Sequence, residues 1–231
     1  MLKGVSGCLA PIRQTITFSG VFLTGKEDCR LYKVKKVQDH YFKRAKKEGY
    51  PARSVYKLEE ANSKHRFLKK GDKVLDLGCQ PGSWSMYAAK VVGPAGRVVG
   101  VDLHKGKGVS MQGGARIEIL QADIMEDDIL DLIRQTCRNF SAVVSDMAPH
   151  TTGNKWADQQ QSLKLCRRAL DLAADLLTKG GVFYCKVFEG EDFKDFLNDV
   201  KKNFTSARVV KPKSSRSESR EVFVLATGFK G

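Results

Sequence analysis

Asp76, Asp102 and Asp123 each stand at or next to the end of a short apolar run, in KVLDL, RVVGVD and RIEILQAD, and could meet one ligand there. Asp76 opens the stretch DLGCQPGSWS, which adds Gly78, Gly82 and an aromatic, Trp84. The spacing D-x-G-x-x-x-G matches neither the phosphate-binding loop, whose Gly-Lys-Ser/Thr is missing, nor the G-x-G-x-x-G dinucleotide fingerprint. A carboxylate at this point suits a ligand with a cationic group, and glycines let the backbone approach it closely. Asp102 lies 20 residues beyond Gly82, where an acid accepts hydrogen bonds from ribose hydroxyls. Together the three acids describe a nucleoside with a cationic tail, S-adenosylmethionine (SAM). One aspartate after a strand is often just a helix cap; the shared register of three argues for a ligand.

The elements that would position these acids follow from hydrophobic period. Runs at 73–77, 97–102, 116–123, 141–146, 181–188, 207–210 and 221–228 read as buried strands. Helical patterns lie between them. One opens at Pro51 (PARSVYKLEEANSKH), by the preference of proline for a first turn. Another runs over 157–179, with Leu163, Leu170, Ala173, Ala174 and Leu177 on one face and Gly180-Gly181 at its end. Alternating strands and helices predict an α/β, Rossmann-like doubly wound fold: a mostly parallel seven-stranded sheet with helices on both faces. Residues 211–220 (KPKSSRSESR) are too short and polar for a crossover helix, so the last strand should run antiparallel. In such sheets ligands bind beyond the carboxyl ends of the strands, where the aspartates fall.

Composition narrows the function classes. The 231 residues, 42% hydrophobic, suit one domain, expected over 36–231 behind a flexible extension at 1–35. No stretch reaches the roughly 18 uninterrupted apolar residues of a membrane span, so a membrane protein is not expected. Net charge is +14 and segregated: residues 1–70 hold 17 Lys/Arg against 6 Asp/Glu, residues 201–231 hold 8 against 2, and the middle is slightly acidic. Two basic ends folded onto one face would make a polyanion-binding surface; the alternative is solubilising lysine. The six cysteines show no CxxC pair and the four histidines no zinc spacing, which points to reduced thiols, no metal site and an intracellular compartment. The cytoplasm is expected. Residues 1–26 contain no acid and three basic residues, which weakly suggests a transit peptide and a mitochondrial alternative.

DLGCQPGSWS, SDMAPHTTG, KVFEGE and SRSESREVFVLATG resemble, in order and spacing, the motifs of the FtsJ/RrmJ (RlmE) family of ribosomal RNA uridine 2'-O-methyltransferases, over about Asp39 to Lys230. The resemblance implies a methyltransferase fold, SAM as donor, and a uridine ribose of large-subunit (23S-type) rRNA as acceptor, with the large subunit as partner to a monomeric enzyme. It places SAM contacts on Gly82, Trp84, Asp102, Asp123 and Asp146, and a catalytic set on Lys57, Asp146, Lys186 and Glu221. Cys79-Gln80 and Ser83 depart from the family pattern, as does a longer loop after Asp102. Other acceptors remain open: the chemistry fits any ribose 2'-hydroxyl, tRNA and mRNA caps included, and a non-catalytic RNA-binding assembly factor would share the fold.

Methyl transfer from a sulfonium is an in-line displacement that requires alignment and the handling of one proton. Lysine titrates near 10.4 and is a poor base at neutral pH, so Lys186 acts as base or as a cation stabilising the developing alkoxide. Without the resemblance, Lys186 reads as a lysine snorkelling at a strand end, Lys57 as exposed, and Glu221 as a solvated residue opening an edge strand. Trp84 reads equally as an aromatic wall of the SAM site or as core packing. For RNA phosphates the candidates are Lys33, Lys35, Lys36, Lys43, Arg44, Lys46, Lys47 and Arg53, with Lys211, Lys213 and Arg216 in the second basic loop. Tyr41, Phe42 and Tyr50 could stack on bases or pack helices.

Overall fold

Alternation of apolar residues along each strand sends neighbours to opposite faces of one sheet, and both faces are covered. The computed structural model describes residues 40–106, 108–216 and 219–231. Its strands are β1 (Lys73–Leu77), β2 (Arg97–Asp102), β3 (Arg116–Gln121), β4 (Phe140–Ser145), β5 (Leu177–Phe188), β6 (Phe204–Val210) and β7 (Glu221–Phe229), in the order β3-β2-β1-β4-β5-β7-β6. The β1, β2, β3, β4 and β5 pairings are parallel, whereas β7 runs antiparallel to both β5 and β6, as the short polar 211–220 segment requires. Residues 38–231 form one unit, and the segment 1–39, with Lys33, Lys35 and Lys36, lies outside the described residues.

The helices are α1 (His40–Lys47), α2 (Val55–His65), α3 (Ser83–Val92), α4 (Ile129–Thr136), α5 (Lys155–Leu176) and α6 (Phe193–Asn203). On one face Leu75, Val99, Val143, Phe183 and Val224 pack against Leu163, Leu170 and Ala173 of α5 and Phe196 of α6. On the other, Val74, Val98, Val144, Tyr184 and Phe223 meet Leu58 of α2 and Trp84 and Ala88 of α3. Each fully buried Leu, Val or Phe contributes about 1.5–3 kcal/mol relative to exposure. Cys79, Cys137, Cys166 and Cys185 are buried free thiols. Among the described residues no helix is long and apolar enough to cross a membrane.

Several boundaries differ from the sequence reading, and each has a tertiary cause. The second helix begins at Val55, not Pro51, because Ala52 N donates to Ser83 Oγ (2.7 Å), drawing residues 51–54 into a turn against α3. Helix α5 begins at Lys155, since Asn154 Oδ1 accepts from Trp156 N (3.1 Å) and Ala157 N (3.2 Å) as an N-cap. It ends at Leu176, where the chain turns extended and pairs into β5; Leu177 therefore belongs to the strand, and Ala174 is exposed. β3 stops at Gln121, leaving Asp123 in the following loop.

Candidate active site

The order of the strands changes direction between β1 and β4, and there the loops at their carboxyl ends separate into a cleft of about 540 Å³. Asp102, Asp123 and Asp146 line it, with Leu103, Ile124 and Met147 among its apolar walls. The glycine turn forms one rim: Gly78 N and Cys79 N both donate to Val101 O (2.8 and 3.2 Å), tying the end of β1 to β2. Asp102 stiffens the same turn. Its Oδ2 accepts from Gln80 N (3.0 Å) and its Oδ1 from His104 N (2.9 Å), so each oxygen keeps one lone pair for a ligand. Asp123 Oδ1 likewise accepts from Met125 N (2.9 Å). Three carboxylates over apolar walls form a donor set suited to a ribose, a cationic tail and a flat base.

Three readings of this rim require correction. Gly78 (φ 73°) and Gly82 (φ 103°, the N-cap of α3) are in the left-handed region, but the space their Cβ atoms would take is already filled by the chain itself. A Cβ on Gly78 would collide with Met147 Cγ, and one on Gly82 would lie 2.6 Å from Val109 Cγ1, so chain packing already requires glycine at both positions; Gly78 lines the cleft and Gly82 does not. Asp76 does not face the cleft either. It is 1% exposed beneath the turn and accepts from Ser85 Oγ (2.6 Å); burial, with the Asp146 and Asp102 charges, pushes its carboxyl up to about 7 despite that hydrogen bond.

Trp84 is the third correction. Its ring is buried, stacked on Tyr184 (centroids 5.6 Å, 16°), and Tyr184 stacks in turn on Phe223 (5.0 Å, 18°). The first turn of α3 points its ring into the core, so the ring cannot wall the cleft; only its main-chain N–H lies at the helix start, where such groups lack an intrahelical partner. The polar tips of this stack have a use that the sequence reading missed. Trp84 Nε1 donates to Ser54 O (2.8 Å) and Tyr184 Oη to Lys57 O (3.1 Å), clamping the start of α2. The only sequence signal was a tyrosine within a buried apolar run.

That clamp presents Lys57 to the cleft edge. Lys57 Nζ lies 2.9 Å from Glu221 Oε2 and 3.5 Å from Asp146 Oδ1, and 5.7 Å from the Phe223 ring centroid. Lys186 Nζ lies 2.9 Å from Asp146 Oδ1 and donates a directed hydrogen bond to the Asp146 carbonyl. The approach to Oδ1 is off the hydrogen-bond line, which makes it an ion pair rather than a second directed bond. Antiparallel pairing explains the meeting: β7 begins where β5 ends, so Glu221 sits opposite Phe188, two residues from Lys186. Burial would raise the Glu221 carboxyl, but Lys57's charge and hydrogen bond outweigh it and hold it below the ordinary carboxylate range. Lys186 is 6% exposed, a buried cation rather than a snorkelling one, and Lys57 is half-buried rather than exposed. All four residues of the expected set thus converge, and Asp146, shared by both lysines, also lines the cleft.

The basic residues divide. Lys43, Lys46 and Lys47 are exposed on α1, and Lys211, Lys213 and Arg216 are exposed on the loop before β7. Arg44 is committed internally, to Glu48 (2.8 Å), Glu59 (3.3 Å) and the face of Tyr56. Arg53 Nη2 donates to Ser214 O (2.8 Å), holding that loop against the start of α2. Of the three aromatics, Tyr50 is buried and Tyr41 packs on Tyr56, which leaves Phe42, 60% exposed, as the one open to a base.

The fold is shared with a solved structure: a chain from Plasmodium falciparum described as a ribosomal RNA methyltransferase superposes with TM-score 0.69 at 24% identity, over 79% of this chain and 100% of that one. Among characterised sequences, a protein of Desulfotalea psychrophila named ribosomal RNA large subunit methyltransferase E is 52% identical, over 85% of this chain and 98% of its own length. One of the same name from Desulfosudis oleivorans is 50% identical, over 84% of this chain and 91% of its own. The pattern of the FtsJ-like methyltransferases matches residues 50–229, a span that contains the cleft and all four converging residues, and the chain belongs to that family.

Proposed function

We propose that the chain methylates the 2'-hydroxyl of a uridine ribose in large-subunit rRNA, with SAM as donor, in the cytoplasm. One observation carries this reading: Lys57, Asp146, Lys186 and Glu221 form a continuous ion-pair chain whose shared member, Asp146, lines the cleft. The relatives' names support the choice of RNA. SAM, when bound, supplies a methyl group on a sulfonium, and Asp102, Asp123 and Asp146 are the residues that would hold its ribose, base and cationic tail. Trp84 contributes its main-chain N–H rather than its ring.

An ammonium has three donors. Lys186 directs one at the Asp146 carbonyl and turns another side toward the Asp146 carboxylate, which leaves a donor for an acceptor oxygen. Lys186 is therefore the cation that stabilises the negative charge left on the 2'-oxygen as the hydroxyl proton passes to solvent water, a role of fixed electrostatic stabilisation. Lys57, held by Glu221, keeps Asp146 oriented and adds a second positive charge at the same edge. Exposed Lys46, Lys47, Lys213 and Arg216 supply phosphate contacts that set register without reading sequence. The test is incubation with methyl-labelled SAM and, separately, large subunits, protein-free rRNA and tRNA, followed by mapping of the labelled nucleotide. Label in a uridine 2'-O-methyl of large-subunit rRNA is expected; label confined to tRNA, or none, overturns the proposal.

A further inference from the structure

Beside the edge strand of the sheet, the last turn of α2, β6 and the segment after it enclose a groove of about 810 Å³ that is separate from the cleft. Lys64 and His65 come from α2, Arg208 from β6 and Lys211 from the loop. Two carboxylates also line it, each engaged through one oxygen, while Glu59 Oε2 is buried without a hydrogen-bond partner. Glu60 Oε2 accepts from Lys213 N (2.6 Å), and Glu59 Oε1 meets Arg44 (3.3 Å). Lys64 and Arg208 form no ion pair among the described residues.

The Lys64 and Arg208 charges both act on His65 between them. His65 is held below the ordinary imidazole range first by burial, then by the Arg208 and Lys64 charges, and its Nε2 is buried without a hydrogen-bond partner. Like charges placed together cost free energy that an anion between them would recover. The start of the loop that precedes Glu221 borders the groove, and Arg53 and Glu60 hold it against α2.

We infer that this groove, through Lys64 and Arg208, grips the phosphate backbone of the substrate RNA at a point away from the methylated ribose. The inference rests on the function proposed above and adds two residues and a second docking surface to it. An acidic protein segment is the competing occupant, and the experiment separates the two.

The variants are Lys64→Glu/Arg208→Glu and the milder Lys64→Gln/Arg208→Gln, both at exposed positions outside the cleft. Binding to protein-free rRNA and to large subunits is measured across a salt series, alongside single-turnover methylation at saturating RNA and thermal unfolding. The expected result is a rise of about tenfold or more in apparent Kd for both RNAs and a salt slope lower by about two, roughly one for each phosphate no longer neutralised. Methylation at saturating RNA and the unfolding midpoint should stay at the parental values. Parental affinity and slope in both variants overturn the groove while leaving the function standing. Weakened binding to subunits but not to bare rRNA assigns the groove to a protein segment and overturns the inference as stated. If the parent protein transfers no methyl group to RNA, the function itself fails and the groove falls with it.

Discussion

The Tyr184 hydroxyl donates to the Lys57 carbonyl across 127 positions of sequence, and with Trp84 Nε1 on Ser54 O it fixes the first turn of α2 from the core side. Lys57 is thus aimed by an aromatic stack rather than by its own helix. Tyr184→Phe keeps the stack and removes only that bond, so it should lower stability by about 0.5–1.5 kcal/mol. Turnover should fall roughly three- to tenfold, short of the ~100-fold that a 1 Å misplacement can cause. Cofactor affinity should hold, because Tyr184 lies in the core and not in the cleft. Calorimetric titration with SAM beside single-turnover methylation checks this, and parental turnover would show that Lys57 needs no such support.

Lys186→Ala should reduce single-turnover methylation by about 10²- to 10⁴-fold, the range for loss of proton or charge management in a transition state. Its burial means that the fold will also notice. Asp146 would keep only Lys57, at 3.5 Å, so the unfolding midpoint should drop. Lys186→Arg retains a cation and should recover part of the lost rate if stabilisation of the oxyanion is the role. A rate for Lys186→Ala within about threefold of the parent, against the range cited, would dismiss the catalytic centre.

Asp102→Ala should weaken SAM binding by about 1–3 kcal/mol, roughly fivefold to 150-fold, through lost acceptors. The same carboxylate holds Gln80 N and His104 N, so the loss includes loosening of the glycine turn. Asp102→Asn, which keeps one acceptor oxygen, should fall between. Unchanged affinity in the alanine variant removes Asp102 from the cofactor site.

Asp76 makes stability depend on pH in a definite direction. Its folded carboxyl titrates near 7, raised above the ordinary value chiefly by burial, so the folded state binds a proton that the unfolded state has released. Its contribution is fully present below about pH 4 and is lost as pH rises through about 7. At about 1.4 kcal/mol per pKa unit the cost by pH 8 is on the order of 4 kcal/mol. Asp76→Asn stays neutral and can still accept from Ser85 Oγ. Denaturant unfolding at pH 5 and pH 8 should show the Asn variant gaining on the parent as pH rises; an equal difference at both values would count against the buried, raised carboxyl.

Most of the fold was legible because it rests on local period. All seven strand runs appear, two of them (73–77 and 97–102) with both ends matching to the residue, since buried parallel strands announce themselves as short apolar segments. Helix ends were less legible. Pro51 is a sound first-turn signal, yet the hydrogen bond from Ala52 to Ser83, 31 residues on, outweighs it and delays the helix to Val55. The site divides the same way. Asp102, Asp123 and Asp146 stand where strand-end logic puts them, whereas the inward rotation of the Trp84 ring and the burial of Asp76 depend on what packs against α3.

The sequence by itself determined the α/β class, the antiparallel last strand and the strand-end line of acids, because these follow from two-residue and helical periods and from a loop too short to cross over. Only the tertiary structure decided that Lys57 and Glu221, 164 positions apart, share an ion pair, and that Lys186 is buried beside Asp146 instead of reaching into water. It also decided that the two glycines make room for Met147 and Val109. The physical reason is common to all three. Partners far apart in sequence are chosen by sheet register and packing, which no local pattern encodes.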